Sequence, residues 1–297
     1  MVRTPFLSTG SLGLDFALGG GIAPGWLVEL YGPPGSGKTT LCLQMAAALG
    51  SPPTGAANTA WVDCDRSFDP RYAAACGVRL PDLLLCSPGW LEAALEMTAA
   101  LLQRQAAALV VLDGLDLLPR AAELGARLDA AAGPPGESRP LAGWLARLAP
   151  ALRRSQAVLV VTRQEAPHPG PVYHQLAGDL ERLALPLHAV LRVRLTPADQ
   201  RPGAAESTRI RAQIVKSLHK PVRDAAEFDI ITSQGIYRSS ELLDLAIDQG
   251  VIRKTPGGYI FGKIDLGAER KQVIDFLHRH ALIEPVEQAL QDWPAAR

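Results

Sequence analysis

The chain has 297 residues, 47% of them hydrophobic, with 30 basic and 30 acidic side chains. Such a composition excludes a disordered chain and supplies one large core plus a smaller appended unit, and the balanced charge excludes a protein whose overall field gathers polyanions, so any nucleic acid must be met by local patches. No apolar run is long enough to span a bilayer and the opening MVRTPFLSTGSLGLDF is broken by Asp15 and several glycines, so neither a membrane segment nor a signal peptide is expected and the protein is placed in the cytoplasm.

In chain order, WLVELY (26–31) reads as a buried strand and runs directly into GPPGSGKT, and TTLCLQMAAAL (39–49) then reads as a helix closed by Gly50. Further buried-strand runs are TAWVDC (59–64), ALVVLD (108–113), AVLVVT (157–162) and AVLRVRL (189–195). LAGWLARLAPALRR (141–154) is a second helix, which Pro150 is expected to kink or shorten. Near-continuous apolar strands alternating with helices predict an α/β fold with a mostly parallel sheet covered on both faces. Residues 119–140 and 165–188 lack periodicity, the mark of functional or disordered loops. Beyond about residue 235 short helices surround RKTPGGYIFGK, which reads as a hairpin, so residues 1–235 form one unit and 236–297 a small α+β domain. Cys42, Cys64, Cys76 and Cys86 show no CxxC spacing and are expected as buried thiols rather than zinc ligands.

Gly32 to Thr39 fit G-x-x-x-x-G-K-[ST] between a strand and a helix, the context that motif requires. Amides of Gly32, Pro33, Pro34, Gly35, Ser36, Gly37, Lys38, Thr39 and Thr40, proline nitrogens excepted, can surround phosphates at a helix N-terminus. Lys38 adds a compact charge, and the Thr39 hydroxyl can face magnesium. Lys38 is also the sole lysine before Lys216 in a chain that uses arginine freely, so its place is not one that any cation fills. Asp113 ends a hydrophobic strand, where a carboxylate can hold a metal's water shell, whereas Asp116 reads as a surface residue or helix cap.

STGSLGLDFALGGG (8–21), the phosphate loop, VDCDRSFDPRY (62–72), Asp113, VVTRQ (160–164) and AEFDIITSQGIYRSSELLDLAIDQGVI (226–252) together resemble bacterial RecA recombinases, in the same order over nearly the whole chain. The resemblance implies a RecA-like P-loop NTPase core with a small C-terminal domain, ATP as ligand and magnesium as its metal. It implies that Asp65 is the catalytic carboxylate, Asp69 and the stacking Tyr72 the adenine contacts, Asp113 and Thr39 the metal partners and Gln164 the sensor of the γ-phosphate. From the residues alone, Asp69 before Pro70 also reads as a turn residue, Tyr72 as ordinary core and Gln164 as a solvated loop residue.

The chain departs from the family in ways that bear on activity. RecA proteins carry glutamate where this chain has Asp65, so the carboxylate is withdrawn by about one bond length and hydrolysis is expected to be slow. Of two lysines that the family supplies to a neighbouring subunit's γ-phosphate, only Lys216 remains, with Leu218 in the second place. The family's first helix and strand, which build the filament, have no match in the residues before STGSL, so classical filament formation is expected to lose its main handle. Residues 119–140 and 165–188 fall where the family has DNA-binding loops, but Glu165, Asp179 and Glu181 against Arg182 make the second a poor groove for single strands. Arg253, Lys254, Lys263, Arg270 and Lys271 offer a better patch, with Tyr259 and Phe261 available for stacking if exposed. The expected function is a RecA-like ATPase of recombination or repair, an accessory paralogue beside a true recombinase or a repair polymerase, with weak DNA binding. An ATP-binding adaptor with little turnover and a non-DNA signalling ATPase of the same superfamily are the alternatives.

Overall fold

A computed structural model describes residues 6–50, 58–119, 139–165, 188–199 and 207–291, and within 139–147 it describes the side chain of Trp144. The elements in order are α1 (Leu12–Leu18), β1 (Leu27–Gly32), α2 (Lys38–Ala48), β2 (Thr59–Asp63), α3 (Pro70–Ala75), β3 (Leu83–Cys86), α4 (Leu91–Gln103), β4 (Leu109–Asp113), α5 (Arg139–Ser155), β5 (Val158–Gln164), β6 (Leu191–Pro197), β7 (Ser207–Ser217), β8 (Ala225–Ile231) and β9 (Gly235–Ile236). After them come α6 (Arg238–Asp248), β10 (Ile252–Thr255), β11 (Gly258–Phe261), β12 (Ile264–Gly267), α7 (Arg270–Arg279) and α8 (Ile283–Gln291).

The large sheet has nine strands in the order β3-β2-β4-β5-β1-β6-β7-β8-β9. Its first six strands in that order pair parallel, and the last three join antiparallel. β2 and β4 are buried at every position, as strands covered on both faces must be. On one face Leu41, Met45, Trp61 and Phe228 anchor a core with α1 and α2; on the other Leu95, Leu112, Trp144 and Leu159 anchor a core with α4 and α5. The Trp144 indole is satisfied there by donating to the Leu95 carbonyl at 2.8 Å. A third core, with Leu242, Leu243, Tyr259, Leu266, Val273 and Leu277, belongs to α6, the β10-β11-β12 sheet, α7 and α8.

Several expectations are corrected here. Helix α5 is not shortened by Pro150 but runs through it to Ser155, because an exposed proline costs the helix one hydrogen bond while the packed face around Leu148 and Leu152 is kept. Tyr259 is buried in the third core and is not available for base stacking, though Lys254 lies 5.8 Å from its ring centroid. Arg270 is already engaged, bonding Asp244 at 2.6 Å and the Ser240 carbonyl at 2.8 Å, so the exposed basic patch shrinks to Arg253, Lys254, Lys263 and Lys271. Cys42, Cys64 and Cys76 are buried as expected, while Cys86 is half-exposed on edge strand β3. Residues 120–138 and 166–187, which hold most of the two aperiodic segments, lie outside the described residues. Among the described residues no helix is long and apolar enough to cross a membrane.

The N-terminal segment and α6 are tied by a buried carboxylate. Glu241, 2% exposed, accepts the Ser11 hydroxyl and the amides of Leu12 and Gly13, capping α1 from the side of α6. Burial drives its pKa up to about 7 against those hydrogen bonds.

Candidate nucleotide site

The loop between β1 and α2 forms at the carboxyl end of the parallel strands, where α2 presents its free N-terminal amides. Gly32 opens it, and a Cβ there would lie 2.0 Å from the Leu195 carbonyl oxygen, so only glycine lets β1 end against β6. Lys38 is 9% exposed and folds its amine back onto the loop, donating to the carbonyls of Gly32 at 3.1 Å and Pro33 at 2.9 Å and to Ser36 Oγ at 3.3 Å. Burial lowers its pKa, and the nearby Asp116 and Asp113 carboxylates oppose that shift.

A cavity of about 410 Å³ opens over this loop. Pro34 to Thr40 line it together with Asp65, Tyr72, Asp113, Thr162 and Gln164. Asp113 ends β4, is 3% exposed and takes the Thr162 hydroxyl at 2.6 Å. Burial lifts its pKa to about 6, with the Thr162 and Thr39 hydroxyls opposing and Asp65 and Asp63 adding to the rise. A buried carboxylate beside two hydroxyls, a lysine and further carboxylates fits a divalent cation carrying phosphate, since such an ion offsets the cost of burying the charge and the smaller repulsion from Asp65 and Asp63.

The three aspartates of residues 61–70 have separate places. Asp63 is buried and accepts the Ser67 and Phe68 amides at 3.1 and 3.3 Å, fixing the turn after β2. Asp65 is exposed, lines the cavity and accepts the Ser67 amide at 3.1 Å. Asp69 caps α3, accepting the Arg71 amide at 2.8 Å and the Tyr72 amide at 3.3 Å, and it does not line the cavity. Through that helix it sets Tyr72, whose hydroxyl meets Thr40 Oγ1 at 2.9 Å.

Gln164 ends β5 and lines the cavity together with Thr162 and Arg163. Lys216 is not brought to this cavity within one chain. It lies near the far end of β7, whose other end contributes Ile210 and Thr208, about 20 and 26 Å away at strand rise.

The sequence reading missed three residues here. Gly114 adopts φ +73°, and a Cβ on it would come within 3.0 Å of the Asp65 side chain; its place directly after a strand-ending aspartate was the available signal. Thr162 ends an apolar run as an ordinary strand residue, and nothing in the sequence ties it to Asp113. Asp116 is not a surface residue but 5% exposed, because Gly114 turns the chain inward after β4 and its Oδ2 accepts the Gln164 amide at 3.0 Å.

Residues 2–237 match the RecA N-terminal domain family. Protein RecA of Chloroflexus aggregans is 32% identical over 290 residues, covering 96% of this chain and 81% of that protein. Protein RecA of Roseiflexus sp. (strain RS-1) is 34% identical over the same length, with the same shares of the two chains. In the crystal structure of the RadB recombinase the likeness is one of fold, with a TM-score of 0.53 at 24% identity, over 78% of this chain and 98% of that one. With a domain match over residues 2–237 and relatives above 30% identity along nearly its whole length, the chain belongs to the RecA family.

Proposed function

We propose that this protein is a RecA-family ATPase of DNA recombination or repair that hydrolyses ATP slowly, as an accessory paralogue beside a true recombinase or a repair polymerase. The observation that carries the reading is the gathering of Lys38, Thr39, Asp65, Asp113 and Gln164 around one cavity at the N-terminus of α2.

In this reading the loop amides and Lys38 hold the phosphates, the lysine exchanging the Gly32 and Pro33 carbonyls for phosphate oxygens. Thr39 and Asp113 hold magnesium, which when bound offsets charge on the β- and γ-phosphates. Asp65 accepts the proton of the attacking water, and its short side chain limits how close it comes. Gln164 faces the terminal phosphate. Tyr72, steadied by Thr40, gives the base an apolar face, and Asp69 supports it as a helix cap while reaching the adenine edge only if it leaves that cap. Lys216 serves a neighbouring copy rather than its own site, as in the resemblance.

DNA contact is assigned first to Arg253, Lys254, Lys263 and Lys271, which are exposed on the small C-terminal unit, 236–297. So few cations imply weak affinity with a shallow salt dependence. A second reading, an ATP-binding adaptor with little turnover, is favoured by Leu218, which is 68% exposed where the family pattern has a lysine.

Phosphate release measured without DNA, with single strands and with duplex separates these readings. The proposal expects slow release that at least one form of DNA accelerates. ATP binding with no release under any of the three conditions would establish the adaptor instead.

A further inference from the structure

The end of β5 is held more firmly than a strand end needs to be. The Glu165 amide donates to the Gly32 carbonyl at 2.8 Å, the same oxygen that receives Lys38 Nζ, so the strand is bonded to the first residue of the phosphate loop. On the face away from α2, Arg163 meets the fully buried Glu29 at 3.2 Å, and Arg192 holds the other oxygen of that carboxylate. Between these two anchors sits Gln164, and its backbone amide donates to Asp116 Oδ2 at 3.0 Å.

Asp116 is an unusual residue for that task. It lies on the single turn Leu115–Leu117 that follows β4, 48 positions before its partner, and it is 5% exposed. Its Oδ1 is buried without a hydrogen-bond partner among the described residues. Burial raises its pKa, opposed by the Gln164 hydrogen bond and then by Arg163 and Lys38. A buried carboxylate that leaves one oxygen unmatched costs stability, and an apolar residue would fill the turn at lower cost. Simple packing therefore does not account for it.

We propose that Asp116 is a positioning residue for the nucleotide site: by bonding the Gln164 amide it fixes the Gln164 side chain toward the terminal phosphate, and so sets the preference of the site for a nucleoside triphosphate over a diphosphate. The inference rests on the reading above in which Gln164 meets the γ-phosphate. Thr162 bonding Asp113 and Asp116 bonding the Gln164 backbone amide join β4 and the turn after it to β5 on either side of Arg163, so the metal-facing carboxylate and the backbone that carries the Gln164 side chain share one frame.

The test uses binding, so it does not depend on turnover. Affinities for Mg-ADP and for the non-hydrolysable analogue Mg-AMP-PNP are measured by calorimetry in wild type, Asp116→Leu, Asp116→Asn, Gln164→Ala and the Asp116→Leu/Gln164→Ala double variant, with Asp116→Ala in reserve should leucine prevent folding. Asp116→Leu is expected to reduce the triphosphate preference by roughly three- to tenfold, the worth of one hydrogen bond. Asp116→Asn, which keeps an acceptor, is expected to hold it near the wild-type value, and Asp116→Leu is expected to change nothing further once Gln164 is alanine. A merely structural role predicts equal losses in both backgrounds, and that result, or an unchanged preference in Asp116→Leu and Asp116→Ala, overturns the proposal. If Gln164→Ala keeps the full preference, or wild type binds neither nucleotide, the underlying site reading has failed along with it, an outcome distinct from failure of Asp116 alone.

Discussion

The Thr162 hydroxyl donates to Asp113 Oδ1 at 2.6 Å and accepts the Gly114 amide at 2.8 Å, so one side chain of β5 orients both the carboxylate that ends β4 and the turn that follows it. Supporting hydrogen bonds of this kind fix ligand geometry as much as the ligands do.

Replacing Thr162 by valine keeps the shape and removes both bonds. Magnesium-dependent nucleotide affinity is expected to fall about tenfold or more, while Thr162→Ser stays near wild type. Calorimetry of ATP with and without magnesium checks this. An unchanged metal dependence in the valine variant would remove Thr162 from the frame.

Gly114 is required twice, by its φ of +73° and because a methyl group on its Cα would stand 3.0 Å from the Asp65 side chain. Gly114→Ala is expected to cost about 1–2 kcal/mol of stability and to lower turnover beyond what the melting shift explains, since the displaced group is the proposed base. Thermal melting and phosphate release on the same samples separate the two effects.

Asp65→Glu lengthens the reach of that carboxylate and is expected to raise the turnover rate, whereas Asp65→Asn, unable to take a proton, is expected to lower it by roughly 100-fold or more. Hydrolysis by Asp65→Asn at the wild-type rate would assign the base elsewhere.

Much of the frame was legible beforehand because it depends on short-range pattern. β1, β2, β4 and β5 are near-continuous apolar runs, β6 keeps enough leucine and valine around Arg192 and Arg194, and all five were located to within two residues, as was α2. β7 was not, since STRIRAQIVKS interleaves polar and apolar residues along a strand with one face open to solvent and so lacks the continuous apolar run that marked the others. The phosphate loop was legible because one contiguous motif makes the whole cradle. Asp116 was not: its role depends on a left-handed glycine that turns it inward and on a partner 48 residues away, and DGLD by itself reads as an exposed turn. Tyr259 failed for the opposite reason, as the hairpin was correct but the face that packs on α6 and α7 could not be told from the sequence.

Glu241 gives a pH prediction. Its folded pKa of about 7 lies above the ordinary 4.5, so the folded protein holds a proton that the unfolded chain releases. Its contribution is fully present below about pH 4.5 and is lost as pH rises toward and through 7, at up to about 1.4 kcal/mol per pH unit. Asp113, raised to about 6, adds to the same trend at the lower end of that window. Urea unfolding at pH 5, 6, 7 and 8 is expected to show stability falling over this interval, with a flatter profile in Glu241→Gln. Identical slopes in the two proteins would contradict the assignment of that proton to Glu241.

The central claim is that Lys38, Thr39 and Asp113 hold Mg-ATP, and the most direct measurement is calorimetric titration of Mg-ATP into wild type and Lys38→Ala. Lys38 is buried against the loop that it serves and bonds two of its carbonyls. Its loss removes the one ammonium that lines the cavity among the described residues and, at roughly 1.5–3 kcal/mol for a hydrogen bond to a charged group, should weaken binding by tenfold or more while the cooperative unfolding transition persists. Equal affinity in the two proteins would contradict the account.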